Sequence, residues 1–403
     1  ICSPLNIEDY VVQPVIDVSP PKWHLGHTTW FFENFILAPN KHGYQLFNKQ
    51  YGFVFNSYYE SEGNRVLRTD RGNLTRPSVE DVLKYRDYVD EHMLDFLSNL
   101  KDCSHELRGL IELGLQHEQQ HQELLFYDIK YILGHNPLFP AYQKETPTNV
   151  VVTSVSSLSF LQVEQGNYQI GTDSNDFHFD NEEGKHQVYL HDFAISNRLI
   201  SNGEYLEFME SGGYESFQYW LSEGWTWVNE NQKKSPLYWH KIDGKWHYYT
   251  LKGLKELNLN EPVAHVSLFE ANAYASWKNM RLATEFEWEI ACRTNESQVP
   301  NVANFVEKEL YGPTYSVDNN QFYGDLWEWT NSAYLPYPFF KTSPGAIGEY
   351  NGKFMVNQMV LKGGSYATPK DHIRPTYRNF FHPHLQWNFA GIRLAKHLDK
   401  RIY

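Results

Sequence analysis

One long helical segment, from about Ser104 to Leu133, sets the architecture of the N-terminal half. Ser104 is a residue type that caps helix N-termini, and Gly134, followed closely by Asn136 and Pro137, supplies a stop. At 1.5 Å per residue, such a helix is about 45 Å long. Neighbouring helices of similar length, joined by short or moderate connections, would then form an antiparallel bundle.

Two more segments supply those neighbours. One begins after Pro20 with Pro21, which is tolerated in a first helical turn, and is closed by Pro39. Another begins at Ser78 and carries apolar residues at spacings of three and four, the pattern of one buried helix face. The sequence therefore predicts a helical domain over residues 1–145.

The pattern changes after residues 136–157, a stretch rich in Pro, Thr and Ser that we interpret as a linker. Beyond it, short β-like runs such as Tyr168–Gly171 and Gln187–Leu190 alternate with long segments rich in Gly, Asn and Trp. Helices are predicted there at 201–211, 268–279 and 284–293. The second half, residues 158–403, thus has the pattern of a loop-rich α+β domain.

Length, charge and cysteine content narrow the class of protein. At about 150 residues per domain, 403 residues allow two or three domains. The net charge of −14 argues against a nucleic-acid binder, whose contact surface would be basic, and no apolar run is long enough to span a membrane. The three cysteines lie far apart and form neither a CxxC pair nor a disulfide-dense frame, so a reducing compartment is expected. The segment ICSPLNIEDY shows no secretory leader. We therefore expect a cytoplasmic protein without a nucleic-acid or membrane partner.

The long helix carries a pair of histidines, His117 and His121, inside the polar segment HEQQHQE. Residues at i and i+4 lie on one helix face about 6 Å apart, and two imidazoles at that spacing can bind one first-row metal ion. The same segment also fits a solvated polar patch, and it formally matches the His-Glu-x-x-His pattern of zinc proteases. Against the protease, no further zinc-ligand pattern follows, and a helical bundle is not the fold of that class.

A catalytic metal site needs a third protein ligand and open positions for reactants. The first helix offers His24 and His27. A carboxylate from Glu33 or Glu123 could instead complete a set of two histidines and one carboxylate. Spacing alone leaves these alternatives open.

Several longer motifs resemble one enzyme family. In the N-terminal half, SPPKWHLGHTTWFFE, FNSYYESEGNRVLRTDRGNLTRPS and HEQQHQELL are similar to the DinB-like bundle of the ergothioneine-biosynthesis sulfoxide synthases, also called hercynine oxygenases. The C-terminal half resembles the formylglycine-generating-enzyme (sulfatase-modifying-factor) domain. The motifs that carry this resemblance are GNYQIGT, RLATEFEWEIACR, GDLWEWT, LKGGSYAT and YRNFFHPHLQWNFAGIRLA. The resemblance covers essentially the whole chain, in the family's domain order.

The resemblance implies an α+β multidomain fold. Residues 1–145 would form a DinB-like four-helix bundle, and residues 158–403 a formylglycine-generating-enzyme-like domain of the C-type-lectin-like α+β class. One departure concerns thiol chemistry, because true formylglycine-generating enzymes use a cysteine pair in their C-terminal portion, where this chain has only Cys292. The C-terminal domain is therefore expected to serve as scaffold and substrate wall.

The resemblance also implies a mononuclear non-haem Fe(II) ion as cofactor, with O2 as co-substrate. The three histidines that hold it in the family correspond here to His27, His117 and His121. His24 is then expected either to pack beside the site or to support one of its ligands.

The implied reaction joins the sulfur of a cysteine-type thiol to C2 of the imidazole of hercynine, which is Nα-trimethylhistidine, and yields a sulfoxide for ergothioneine biosynthesis. The tandem Tyr58-Tyr59 pair resembles members that use free L-cysteine instead of γ-glutamylcysteine. Three alternatives stay open. They are a DinB-type metal-dependent thiol transferase, a related synthase of ovothiol-type or selenoneine-type products, and a non-catalytic lectin-like binding module fused to a bundle.

The remaining site residues follow from the resemblance together with substrate chemistry. Tyr58 or Tyr59 is the candidate proton donor, since a phenol can act as a general acid. Arg68 and Arg71 are expected to bind the carboxylate of the thiol substrate, and Gln120, in the family's HxxQH pattern, to hydrogen-bond the hercynine imidazole. A trimethylammonium group favours aromatic faces. Its candidate partners are Phe380, Phe381 and Trp387, with Asn379 as a polar neighbour for the hercynine carboxylate.

Overall fold

The structure is a computed structural model of the chain, and it describes residues 1–143, 157–315, 320–342 and 346–398. The chain divides into two compact units. Unit 1 comprises Ile1–Gln143 and Ser343–Tyr350, and unit 2 comprises Lys144–Thr342 and Asn351–Tyr403. Most of the predicted linker, 136–157, lies outside the described residues, so the predicted domain limits at 145 and 158 stay predictions.

Unit 1 is built from helices, and the two longest of them begin at serine caps. Their bounds are α1 Pro21–Phe32, α2 Ala38–Asn40, α3 Tyr51–Phe55, α4 Val79–Asn99 and α5 His105–Gly134. Ser78 and Ser104 cap α4 and α5, because each hydroxyl accepts a hydrogen bond from a backbone N–H in the first turn. The long helical segments predicted from the sequence are confirmed. Among the described residues, no helix is both long enough and apolar enough for a membrane span.

Helix α1 runs through the middle of unit 1 and packs against both α4 and α5. Its aromatic residues Trp23 and Trp30 are 2% exposed and belong to the core of the unit. Gly26 allows α3 to approach α1, since an added Cβ would lie 2.1 Å from a ring atom of Phe55. The carbonyl of Phe55 in turn accepts a hydrogen bond from His27, so this close approach helps to orient a predicted metal ligand.

Unit 2 consists of short strands and short helices. The strands are β1 Phe160–Val163, β2 Gly166–Ile170, β3 His186–Leu190, β4 Phe193–Ser196, β5 Trp239–Ile242, β6 Lys245–Thr250, β7 Gly253–Glu256, β8 Arg281–Leu282, β9 Trp327–Ala333, β10 Met359–Lys362, β11 Asn379–Phe381, β12 Ala390–Gly391 and β13 Leu394–His397. The helices are α6 Asn202–Glu210, α7 Ser222–Glu230, α8 Leu268–Trp277 and α9 Glu285–Asn295. The described strands pair in the orders β1-β4-β13-β8, β11-β10-β9-β12, β2-β3 and β5-β6-β7. The predicted α+β class is therefore confirmed for this half.

The predicted helices at 201–211, 268–279 and 284–293 are confirmed as α6, α8 and α9. Helix α7 and the antiparallel meander of β5, β6 and β7 were not predicted from the sequence. A signal for the meander was present, because Asp243-Gly244 lies between two aromatic runs. Both residues have the positive φ that a tight hairpin turn requires, 48° and 82°.

Two ion pairs lie in the buried core of unit 2. The guanidinium of Arg393 lies 2.5 Å from the carboxylate of Glu328, and that of Arg378 lies 2.8 Å from Glu285. The indole N–H of Trp288 also donates to Glu328, at 2.6 Å. Pairing and hydrogen bonding of this kind offset the cost of removing the charges from water. The motifs RLATEFEWEIACR and GDLWEWT, which contain the acidic residues, thus have a structural role.

Candidate metal centre

Three histidines converge inside unit 1. His27 comes from α1, whereas His117 and His121 lie one turn apart on α5. One nitrogen of each ring lies within 4.8 Å of the others, and His27 and His117 are 0% and 1% exposed. The cluster is the set of residues that the resemblance implied as metal ligands.

The hydrogen bonds of the rings determine which nitrogens face the centre. Nδ1 of His27 lies 2.6 Å from the carbonyl oxygen of Phe55 and must donate to it, so its lone pair is on Nε2. That Nε2 lies 3.2 Å from Nε2 of His117. In His121, Nδ1 is occupied by a hydrogen bond with Nδ1 of His24, at 3.0 Å. Nε2 of His121 is therefore the nitrogen left for the cluster.

Burial makes these imidazoles good ligands. It lowers the pKa of His117 to about 3 and holds the pKa of His27 and of His121 well below the usual value, because a charged ring would lose its hydration. The rings are therefore neutral at pH 7, the state in which imidazole binds metals. Three neutral nitrogen donors from two helices fit a first-row divalent metal and leave coordination positions for reactants.

The carboxylates that the sequence offered as alternative ligands are used elsewhere. Glu33 is 3% exposed and accepts hydrogen bonds from the hydroxyls of Tyr44 and Tyr85, at 2.8 and 2.6 Å. Glu123 accepts from the hydroxyl of Tyr127 at 2.6 Å. Neither belongs to the histidine cluster, so the interpretation with two histidines and one carboxylate is not supported.

The zinc-protease interpretation is not supported either, because Glu118 has a different role. In that class the glutamate after the first histidine acts as the general base beside the metal. Here the carboxylate of Glu118 pairs with the guanidinium of Arg86, from α4, at 2.8 Å. Glu118 is therefore part of an interhelical ion pair.

The structure separates the two predicted carboxylate-binding arginines. Arg71 is 5% exposed, lies 3.4 Å over the ring of Trp23, and donates to the hydroxyls of Ser19 and Ser57 at 2.9 and 3.0 Å. Within the described residues, no carboxylate pairs with Arg71 and its Nε has no hydrogen-bond partner. Arg68, in contrast, is exposed and donates to backbone carbonyls of the N-terminal segment. A buried guanidinium without a counterion favours binding of an external carboxylate at Arg71.

The two predicted tyrosines stack on each other, with ring centroids 4.6 Å and hydroxyls 3.5 Å apart. Tyr59 is 1% exposed and packs against Trp30 and Phe35 in the core. Tyr58 is partly exposed, and its ring meets that of Tyr350 edge to face. Burial raises the pKa of both phenols, so both keep their protons at pH 7 and can act as donors.

Tyr350 lies beside the cluster and was not predicted as a site residue from the sequence. It lies in Ser343–Tyr350, the second stretch of the chain that belongs to unit 1, and its hydroxyl donates to the side-chain carbonyl of Gln120. Its ring is also 5.8 Å from that of His117. Tyr350 lies far from both residues in the sequence and in none of the quoted motifs, so no local pattern could have indicated it.

The remaining predicted residues lie in unit 2, where they form two aromatic pairs. Phe380 stacks on Tyr334 with ring centroids 4.1 Å apart, and Phe381 meets Trp387 edge to face at 5.1 Å. Trp387 is 5% exposed, and the side-chain oxygen of Asn379 accepts the backbone N–H of Phe380. Their predicted contact with a trimethylammonium group or a carboxylate stays a prediction.

Known proteins resemble both halves of the chain. Residues 147–398 match the sulfatase-modifying factor enzyme 1-like domain, and residues 1–125 match the DinB superfamily. A hercynine oxygenase of Mycolicibacterium smegmatis is 28% identical over 409 residues, covering 94% of this chain and 91% of that protein. The hercynine oxygenase of Mycobacterium tuberculosis is 28% identical over 403 residues, covering 94% and 91%. Ergothioneine biosynthesis protein 1 of Schizosaccharomyces pombe is 29% identical over 231 residues, covering 55% of this chain and 28% of that protein.

Proposed function

We propose a reaction for this chain on the basis of its family. The chain belongs to the sulfatase-modifying factor enzyme 1-like family and has the two-domain form of the ergothioneine-biosynthesis sulfoxide synthases. The chain is accordingly an oxidoreductase that acts on small molecules. Its proposed reaction joins a cysteine-type thiol to C2 of the hercynine imidazole, with Fe(II) as the metal and free L-cysteine as the thiol.

The proposed reaction balances with O2 as the only oxidant. The C2–H bond of hercynine and the S–H bond of the thiol break, and a C–S bond and an S–O bond form. One oxygen atom of O2 enters the sulfoxide, and the other leaves as water with the two hydrogens. Carbon–sulfur bond formation and sulfoxide formation each supply two electrons, which together reduce both oxygen atoms.

The observation that carries the proposal is the cluster of His27, His117 and His121 in the same unit as the unpaired guanidinium of Arg71. A Fe(II) ion held by these histidines would supply O2 activation and would keep a coordinated thiol deprotonated. An amino-acid thiol needs a partner for its carboxylate, and Arg71 offers two hydrogen-bond donors in a fixed fork. Besides burial, the positive charge of Arg71 lowers the pKa of His27 and of His121.

The polar residues around the cluster have distinct proposed tasks. Tyr58 holds its proton in the resting site, because burial raises the pKa of the phenol, and it donates that proton during the reaction. The hydroxyl of Tyr350 fixes the amide of Gln120 by donating to its oxygen. The nitrogen of that amide can then donate to the hercynine imidazole, as the resemblance implies.

Arg71→Gln is expected to raise the KM for cysteine by about 10- to 100-fold, because a charge-assisted hydrogen bond to the substrate is lost. The KM for hercynine should change far less, since that substrate uses other contacts. Arg68→Gln should raise the cysteine KM less than Arg71→Gln, because its guanidinium holds the carbonyls of Ile16 and Asp17. Steady-state kinetics with each substrate varied in turn measures both values.

The matched control is Arg65→Gln, which removes a guanidinium that pairs with the exposed carboxylate of Glu60. It should leave both KM values close to those of the wild type. Equal increases for cysteine and hercynine in Arg71→Gln would contradict the proposed carboxylate contact. An equally large increase in Arg68→Gln would show that both arginines bind the substrate.

The proposed reaction is tested by offering hercynine with cysteine and γ-glutamylcysteine in competition, in the presence of Fe(II) and O2. Mass spectrometry should detect the cysteine-derived sulfoxide as the main product, with one O2 consumed for each sulfoxide formed. A dominant γ-glutamylcysteine product would correct the thiol donor and leave the reaction type standing. Thiol transfer without O2 consumption would instead favour the DinB-type transferase.

A further inference from the structure

A chain of hydrogen bonds connects the histidine cluster to a buried carboxylate that the proposed reaction does not use. Nδ1 of His121 lies 3.0 Å from Nδ1 of His24, and Nε2 of His24 lies 2.9 Å from Oδ2 of Asp128. His24 is 4% exposed and Asp128 is 2% exposed, so water does not compete for these bonds. All three residues belong to unit 1, on α1 and α5.

The order of donors and acceptors along this chain sets the tautomer of each ring. The carboxylate of Asp128 accepts, since its Oδ2 also takes the backbone N–H of Ser19 at 2.8 Å. A neutral His24 therefore carries its hydrogen on Nε2 and a lone pair on Nδ1. His121 must then donate from Nδ1, so the lone pair of its own ring lies on Nε2, the nitrogen left for the cluster.

The negative charge of Asp128 gives this chain of hydrogen bonds a second role. A divalent cation among three neutral imidazoles would add two positive charges to a buried site that already contains Arg71. Ser19 links that arginine to the same carboxylate, because its hydroxyl accepts from Arg71 at 2.9 Å while its backbone N–H donates to Asp128. A buried carboxylate connected to both groups lowers the cost of placing positive charge there.

We infer that His24 and Asp128 are positioning residues for the metal centre. They hold His121 in the tautomer and orientation in which Nε2 binds the metal, and they supply a negative charge behind that ligand. Metal-binding histidines generally pass their second N–H to a carboxylate or carbonyl, and here one further imidazole stands between the ligand and the carboxylate. The inference rests on the proposed metal site and adds two residues that act through His121.

The test measures metal affinity directly, in the full-length protein and without turnover. Co(II) alone, and Fe(II) alone under anaerobic conditions, are titrated in competition with a chelator. Asp128→Asn and His24→Phe should each weaken binding by about 10- to 100-fold, the range typical for residues that support a metal ligand. The visible spectrum of bound Co(II) should also change, because the orientation of His121 changes.

A double-mutant cycle separates this role from general stabilisation. If Asp128 orients His121 through His24, Asp128→Asn should weaken binding clearly less in the His24→Phe background than in the wild type, and the loss that persists there measures its charge alone. Glu33→Gln is the control, because it removes a buried carboxylate whose hydrogen bonds lead to Tyr44 and Tyr85 and not to the cluster. It should lower the thermal unfolding midpoint and leave the metal affinity unchanged.

The outcomes distinguish this inference from the proposed function. A wild-type protein that binds neither metal would overturn the metal centre itself. A wild-type protein that binds both, with Asp128→Asn and His24→Phe binding equally tightly, would overturn only the positioning role. Fully additive losses in the double mutant would show that Asp128 does not act through His24.

Discussion

His117→Ala is expected to abolish metal retention and, with it, sulfoxide formation. The substitution removes one of three nitrogen donors that lie within 4.8 Å of one another, and the two that are left cannot hold a labile divalent ion in a catalytic geometry. The loss of affinity should exceed the 10- to 100-fold typical for a residue behind a ligand. Metal content after dialysis, measured by mass spectrometry alongside product formation, gives the result.

A matched control comes from unit 2. His372 is 1% exposed, as His117 is, and burial likewise lowers its pKa to about 3. Its Nε2 lies 3.1 Å from the hydroxyl of Tyr377, and it belongs to no metal-ligand cluster among the described residues. His372→Ala should therefore retain metal even if it unfolds at a lower temperature. Normal metal content in His117→Ala, or an equal loss in His372→Ala, would contradict the proposed centre.

The sequence indicated two of the three metal ligands on physical grounds and the third only by resemblance. His117 and His121 share a helix face because they are four residues apart. For the third ligand, spacing could not choose between His24 and His27, because periodicity does not reveal which polar group each ring meets after packing. In the structure His27 donates to the carbonyl of Phe55 and faces His117, whereas His24 is engaged with Asp128.

The surroundings of the cluster depend on contacts between distant parts of the chain, which sequence patterns report poorly. Tyr350 reaches Gln120 although the two are 230 positions apart. Glu118 completes a formal zinc-protease motif, but its role follows from an ion pair with Arg86 on another helix. Caps and turns are different, because Ser78 and Ser104 act within one helical turn and could be assigned from local sequence alone.

The sequence could not name the proton donor between the two stacked tyrosines, Tyr58 and Tyr59. Tyr59 is almost fully enclosed by core aromatic rings, whereas Tyr58 is partly exposed and meets Tyr350, which contacts both Gln120 and His117. Both phenols stay protonated at pH 7, because burial raises their pKa. Access to the substrates therefore decides between them, and it favours Tyr58.

Tyr58→Phe is expected to lower sulfoxide formation by about 10²- to 10⁴-fold, the usual contribution of a positioned general acid. Oxidation of cysteine alone should continue, because the histidine cluster and Arg71 are untouched, so the product ratio shifts from sulfoxide toward oxidised cysteine. Tyr59→Phe removes only the hydroxyl that lies 3.5 Å from that of Tyr58, and its effect should be smaller. Product analysis together with O2 uptake measures the ratio. A larger shift in Tyr59→Phe would reverse the assignment, and an unchanged ratio in both variants would remove the tyrosine pair from proton transfer.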